Sequence, residues 1–137
     1  MLYLARHWQQ GAVLIADIAQ EEQLPRKFLD AILLEMRNDG MLSSKKGKGG
    51  GYMLAIPPDQ IPVGRIVRAL DGPLAPVPCV SRTAYRPCGD CHDEHACAIR
   101  AVMQEARDAI AAVLDNTSLA DMLNRQPKAE HILDYVI

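Results

Sequence analysis

Aromatic side chains are scarce in this chain: Phe28 is the only phenylalanine, Trp8 the only tryptophan, and aromatics make up 4% of 137 residues against 49% hydrophobic. The core must therefore be mostly aliphatic, which suits a helical protein. No apolar run approaches the ~20 residues that a membrane-crossing helix needs. No charged-then-apolar leader with a small-residue cleavage site appears either. The chain reads as cytoplasmic, with no membrane partner. An excess of basic charge is also missing. The formal net charge is -2, which does not by itself announce a nucleic-acid binder. There is no nucleophile–base constellation, no phosphate loop of the nucleotide-binding type and no dehydrogenase fingerprint, so an enzyme is not expected. The length allows one compact domain, or a small domain with an oligomerisation arm.

Cysteine is absent before residue 79 and after residue 97, yet four occur between: Cys79, Cys88, Cys91 and Cys97, spaced C-x8-C-x2-C-x5-C. In a reducing cytoplasm such crowding favours metal or redox chemistry over structural disulfides. His92 and His95 lie between the last two.

The opening residues, Met1 to Trp8, look helical and start without a cap, as if in mid-helix. An earlier first half of this helix is expected to be missing. Gly11 breaks the pattern. A short helix from Ile15 to Glu22 follows, with Ile15, Ile18 and Ala19 on one face. After Gln23-Leu24, Pro25 suits the first position of a second helix, where its missing N–H costs nothing. Phe28, Leu29, Ile32, Leu33 and Met36 follow the rows of a buried face. Asn38-Asp39-Gly40 ends this helix, with Gly40 as a left-handed C-cap. Two short helices so joined form a helix-turn-helix, although any αα-hairpin shares the pattern.

The next segment sharpens that reading. Met41–Ser44 and Gly51–Ile56 are strand-like, and Lys45-Lys46-Gly47-Lys48-Gly49-Gly50 lies between them. This predicts a β-hairpin with a glycine- and lysine-rich tip, and so a winged helix. No acid occurs from Ser43 to Ile56, so an acidic protein still carries a local basic stripe. Pro57-Pro58 closes the wing. A short helix over Pro62–Leu70 follows, with Ile66, Val67 and Leu70 apolar, and Asp71-Gly72-Pro73 ends it. Leu74 to Asp90 contains three prolines and reads as an irregular loop. A long helix is expected from near Glu94 to about Leu114. Its stripe of Ile99, Val102, Met103, Ala106, Ile110 and Val113 needs a partner, most simply its own copy in a homodimer; packing on the head is the alternative. Ser118 with Asp121 resembles a capping box for a last helix, Leu119–Leu123. The tail from Gln126 is ambiguous.

The expected fold is thus mainly α: a winged helix-turn-helix head with a small β-hairpin wing and a long C-terminal dimerisation helix. The expected organisation is a head over 1–73, a cysteine-bearing sensor loop over 74–97, and a dimerisation helix with tail over 98–137.

These pieces, in this order, resemble the Rrf-two type of bacterial regulators, the group of IscR, NsrR, RirA and CymR. The matching stretches are Ile18-Ala19, Pro25-Arg26-Lys27-Phe28-Leu29, Gly49-Gly50-Gly51-Tyr52-Met53-Leu54, Ala69-Leu70-Asp71-Gly72-Pro73 and Cys97-Ala98-Ile99-Arg100. The resemblance implies a homodimeric winged-helix transcription factor with sensing cysteines ahead of the long helix, where many members hold an iron–sulfur cluster and some hold none. This chain departs from the best-known pattern of three evenly spaced cysteines plus a later histidine. Arg100 stands where IscR has that histidine, and a fourth cysteine and a tight Cys88-x-x-Cys91 pair are present.

Thiolates are soft donors for iron–sulfur clusters and zinc. A four-sulfur site of Cys79, Cys88, Cys91 and Cys97 is expected, with His92 and His95 in reserve. An iron–sulfur cluster leads, ahead of zinc or another single metal, a thiol–disulfide switch, and cysteines with no ligand. On the DNA side, the first turn of the second motif helix enters the major groove of double-stranded DNA in a winged helix. That points to Pro25, Arg26 and Lys27, with Arg26 as guanine reader. Lys45, Lys46 and Lys48 would follow the flanking backbone or minor groove. A two-fold dimer should read a pseudo-palindromic operator. The competing function is a metal- or thiol-redox-handling protein that uses the winged helix for protein contacts.

Overall fold

The computed structural model describes residues 1–125; the tail from Gln126, and the ambiguity of its reading, lie outside them. Six α-helices and one hairpin follow one another: α1 Leu2–Arg6, α2 Ile15–Glu21, α3 Arg26–Asn38, β1 Leu42–Lys45, β2 Gly51–Leu54, α4 Val63–Asp71, α5 Ala98–Asp115 and α6 Leu119–Arg125. Single 3-10 turns interrupt the connections at Pro58–Gln60 and Pro78–Val80. None of the described helices is long and apolar enough to cross a membrane.

The helix-turn-helix forms as its periodicity requires. Ile18 of α2 and Leu29, Leu33 and Met36 of α3 are buried together. The Met41 N–H donates to the Met36 carbonyl (3.0 Å) and the Gly40 N–H to the Arg37 carbonyl (3.0 Å). With Gly40 at φ 83°, this is a full Schellman stop, and its apolar contact is Met41 against Met36, both fully buried. Two details differ from expectation. Pro25 is the N-cap, with extended ψ of 126°, and the helix begins at Arg26. Phe28 is not buried: it is 59% exposed. It stands one residue, about 100°, around the helix from Leu29. Periodicity finds the centre of a buried stripe better than its edge.

β1 and β2 pair antiparallel, with Leu42 opposite Leu54 and Lys45 opposite Gly51. The strand thus takes in Lys45, which the sequence places at the tip, and releases Met41 to the core. Val13 joins the hairpin as a third partner. Its N–H donates to the Tyr52 carbonyl (2.9 Å) and its carbonyl accepts from the Tyr52 N–H (2.8 Å). Gly51 makes this possible: a Cβ there would lie 2.0 Å from the Val13 carbonyl oxygen.

The buried core contains Leu4, Ala5, Met41, Leu42, Leu54, Ile61 and Leu119 beside the helix-turn-helix residues, with no fully buried aromatic among the described residues. Ile66 and Ala69 of α4 pack against it, whereas Leu70, also apolar, is 42% exposed. Leu119 comes from beyond α5. The chain leaves the head on α5 and returns through backbone bonds from Leu119 N–H to Ile61 carbonyl (3.0 Å) and from Val63 N–H to Thr117 carbonyl (2.8 Å). The capping box forms: Ser118 Oγ accepts from the Asp121 N–H (3.1 Å) while Asp121 Oδ2 accepts from the Ser118 N–H (2.9 Å). Those bonds to Ser118 hold the Asp121 carboxyl below its ordinary value. The helix they start runs to Arg125, two residues further than expected.

α5 starts at Ala98, not near Glu94. Asp93 Oδ1 accepts the His95 N–H (2.8 Å), a local turn that competes with helix. No residue of α5 is buried. Of the stripe, Ile99, Val102, Ile110 and Val113 are 67%, 59%, 42% and 60% exposed and do not pack on the head, whereas Met103 and Ala106 are half-buried.

Candidate functional site

Two surfaces carry chemistry, and a ladder of arginines joins them. The first is built by α3 and the wing. The turn from α2 to α3 is fixed by the Leu24 N–H donating to the Ala19 carbonyl (2.9 Å), with Gln23 in the left-handed region at φ 52°. Pro25, Arg26 and Lys27 are all exposed at the start of α3. The helix has no side-chain cap and no acid in its first turn, so its positive dipole end is left open to an anion. Lys45, Lys46 and Lys48 are exposed on the wing. The tip closes through the Gly50 N–H to the Gly47 carbonyl (2.9 Å).

The second surface is the cysteine loop. All four cysteines line one cavity of about 470 Å³, together with Pro78, Arg86, Pro87, Ile99 and Arg100. Cys79 sits in the Pro78–Val80 turn. Cys88 and Cys91 share a tight turn, with the Cys91 N–H donating to the Cys88 carbonyl (3.2 Å). Cys97 is the N-cap of α5, and its Sγ accepts from the Arg100 N–H (3.4 Å). All four thiols are free. Among the described residues no three histidine, cysteine or acidic side chains converge on one metal-binding point. The loop therefore gathers four soft donors around a cavity without closing them on a single ion. His92 and His95 are exposed and lie outside that cavity lining.

The electrostatics of the cavity suit a metal centre held by thiolates. Desolvation and then the neighbouring Cys97 push the Cys91 thiol above its ordinary value, so adjacent thiolates need a cation to relieve them. Arg100 supplies positive charge on the wall. Its Nε is buried without a hydrogen-bond partner, its ion-pair contact being Glu94 Oε2 at 3.6 Å. Glu94 Oε1 also accepts from the Tyr85 hydroxyl, and that bond raises the Tyr85 pKa. The donor set thus fits a thiolate-bound metal or cluster.

Sequence reasoning missed the arginine ladder. Arg107 Nη1 donates to the Val80 carbonyl (2.6 Å), one residue after Cys79, and so pins the loop to α5. Asp108 accepts from both Arg107 (2.6 Å) and Arg82 (3.1 Å). Lower on α5, Asp115 takes a two-pronged pair from Arg68 of α4, at 2.6 and 2.8 Å. Buried Gly64 makes room for it, since a Cβ there would lie 1.9 Å from Asp115 Oδ1. One turn earlier on α4, Arg65 donates to the side chain and carbonyl of Asp39, both at 2.6 Å, at the C-cap of α3. No local pattern announces the links between elements, because each of those joins residues at least 26 apart in sequence; only Arg107 and Asp108 are neighbours.

Comparison with known proteins agrees with this architecture. Residues 1–125 match the Rrf2 family, described as iron-dependent transcriptional regulators. An rrf2-like HTH-type transcriptional regulator of Rhodobacter capsulatus is 42% identical over 130 residues, covering 95% of this chain and 87% of that protein. The structure of CymR, the global cysteine regulator of Bacillus subtilis, superposes with a TM-score of 0.74 at 32% identity, covering 92% of this chain and 88% of that one. The IscR structure from T. potens gives 0.71 at 27% identity over 94% and 85%. Fold, order of elements and sequence therefore agree, and this chain belongs to the Rrf2 family of helix-turn-helix transcriptional regulators.

Proposed function

We propose that this regulator binds a pseudo-palindromic operator as a homodimer, and that a metal cofactor on Cys79, Cys88, Cys91 and Cys97, an iron–sulfur cluster before zinc, controls that binding. The observation that carries the reading is one cavity lined by all four cysteines and by Arg100. A cluster, when bound, supplies a centre that responds to iron, oxygen, nitric oxide or redox state. Residues 1–73 serve as the reading head, 74–97 as the sensor loop, and the segment from 98 as the dimerisation arm. A second copy covers the exposed stripe of Ile99, Val102, Ile110 and Val113. The setting is the cytoplasm.

At the head, Arg26 reads guanine, Pro25 and Lys27 set the approach of α3, and Lys45, Lys46 and Lys48 hold the flanking backbone. The test is DNA binding by anaerobically purified protein, with iron, sulfide and zinc analysis alongside. Arg26→Ala should weaken binding to the selected operator about 10-fold or more and relax base preference, and unchanged specific affinity would sink the assignment. Lys46→Ala should instead reduce binding evenly across sequences and lower its salt dependence.

Control passes from loop to head through the arginine ladder. Its step from α5 to α4 provides a second test. Gly64→Ala forces the Asp115 carboxylate off α4. The mutation adds helix propensity of about 1 kcal/mol, while the exposed Arg68–Asp115 pair contributes only about 0–1 kcal/mol. Stability should barely change. The ratio of operator affinities with and without cofactor should nevertheless fall toward one, and Arg68→Ala should do the same. A ratio that survives both changes would place the coupling elsewhere. The Arg68 guanidinium holds the Asp115 carboxyl below its ordinary value. The clamp is accordingly present above the usual carboxylate range and lost only as pH falls through that lowered value.

A further inference from the structure

The chain's one phenylalanine has no role in the core and none in the proposed contacts. Phe28 is the third residue of α3, directly after Arg26 and Lys27, and is 59% exposed. The other large side chains of this helix that face inward, Leu29, Leu33 and Met36, are at most 5% exposed. Ala31, one position short of the next turn, is exposed and small. The exposed positions of the first two turns are therefore two cations, one aromatic ring, the acid Asp30 and the small Ala31. Exposing a phenylalanine costs solvation free energy that burial would recover. A helix that seats this face in a major groove buries the ring against base edges, and Ala31 leaves room for close approach.

The major groove offers one apolar group, the 5-methyl of thymine, and phenylalanine is among the side chains that contact it. We propose that Phe28 is a specificity-determining residue that packs on a thymine methyl in each half-site, next to the base read by Arg26. The inference rests on the proposed entry of α3 into the major groove. It adds a discrimination that charge cannot make, because deoxyuridine pairs like thymidine and differs only by that methyl.

The experiment starts from an operator selected by the wild-type protein out of random duplexes. Each thymidine is then replaced in turn by deoxyuridine. At one thymine per half-site the replacement should weaken wild-type binding roughly three- to tenfold, and at the others it should do little. Phe28→Ala should bind the unmodified operator correspondingly less well and be indifferent to the same replacement. Phe28→Leu, still apolar, should retain part of the discrimination. Neither change touches a core contact, and thermal unfolding checks that both variants fold. The proposal is overturned if no deoxyuridine substitution affects the wild type, or if Phe28→Ala discriminates as well as the wild type does. A Phe28→Ala protein with altered oligomeric mass and unaltered DNA affinity would likewise overturn it, in favour of a protein-contact role. Failure to select any sequence, with no effect of Arg26→Ala, would instead remove the DNA-reading assignment on which it depends.

Discussion

Cys97→Ser should strip the protein of the proposed cofactor without weakening its fold. Cys97 plays two parts: its sulfur lines the cysteine cavity, and it caps α5 by accepting the Arg100 N–H. Serine is one of the preferred N-caps and contributes about 1 kcal/mol relative to alanine, so the helix start survives. As a ligand, its neutral hydroxyl is a poor substitute for a soft thiolate. Bound iron and sulfide, or zinc if zinc is native, should drop to a small fraction of the wild-type content. Metal analysis and visible absorption of anaerobic protein measure this loss, and unfolding of both metal-free proteins should give midpoints within a few degrees. Operator affinity should then sit at the cofactor-free value under all conditions. Full metal content in this variant would remove Cys97 from the ligand set. A wild-type protein that carries no metal would shift the site to the Cys88–Cys91 pair as a reversible disulfide.

The second large effect belongs to a position far from any sensing chemistry. Gly51→Ala should destabilise the head by roughly 3 kcal/mol, from a strained backbone (about 1–3) and overpacking (about 1–3). The Cβ would meet the Val13 carbonyl at 2.0 Å and the Leu14 nitrogen at 2.9 Å, both backbone atoms that cannot rotate away, and φ is 139°. Relief requires breaking the two Val13–Tyr52 bonds that hold the wing to the head. Gly49→Ala is the control. It also has positive φ, at 74°, but nothing lies within 4 Å, so only the conformational cost applies, about 1–2 kcal/mol. Denaturant titration separates the two. Equal losses would show that the Val13 approach is unimportant.

Positions that report on themselves were readable from the chain alone. Gly40 stops α3 because its neighbours supply every bond of the Schellman motif within six residues. Ser118 and Asp121 cap α6 for the same reason, as reciprocal partners three apart. The hairpin followed from its glycines, and the crowding of cysteines is visible without any coordinates. The start of α5 was misplaced by four residues because Asp93 and Cys97 offer the backbone side-chain bonds that helical periodicity does not weigh.

What local pattern cannot supply is contact between distant segments. Phe28 obeys the same spacing as its buried neighbours, yet only the absence of anything packed beside it decides its exposure. The α5 stripe reads identically whether it covers the head or awaits a partner. Val13 carries no strand signal of its own, Leu119 no sign that it returns to the core beside Ile61, and the Arg68–Asp115 clamp none that Gly64 lies beneath it. The sequence by itself thus determined the elements, the family resemblance and the chemistry of the donors, since these depend on residues within a few turns of one another. The tertiary structure alone decided which faces stay open and how the cysteine loop is tied through α5 and α4 to α3, because those depend on side chains meeting across loops whose path no local propensity specifies.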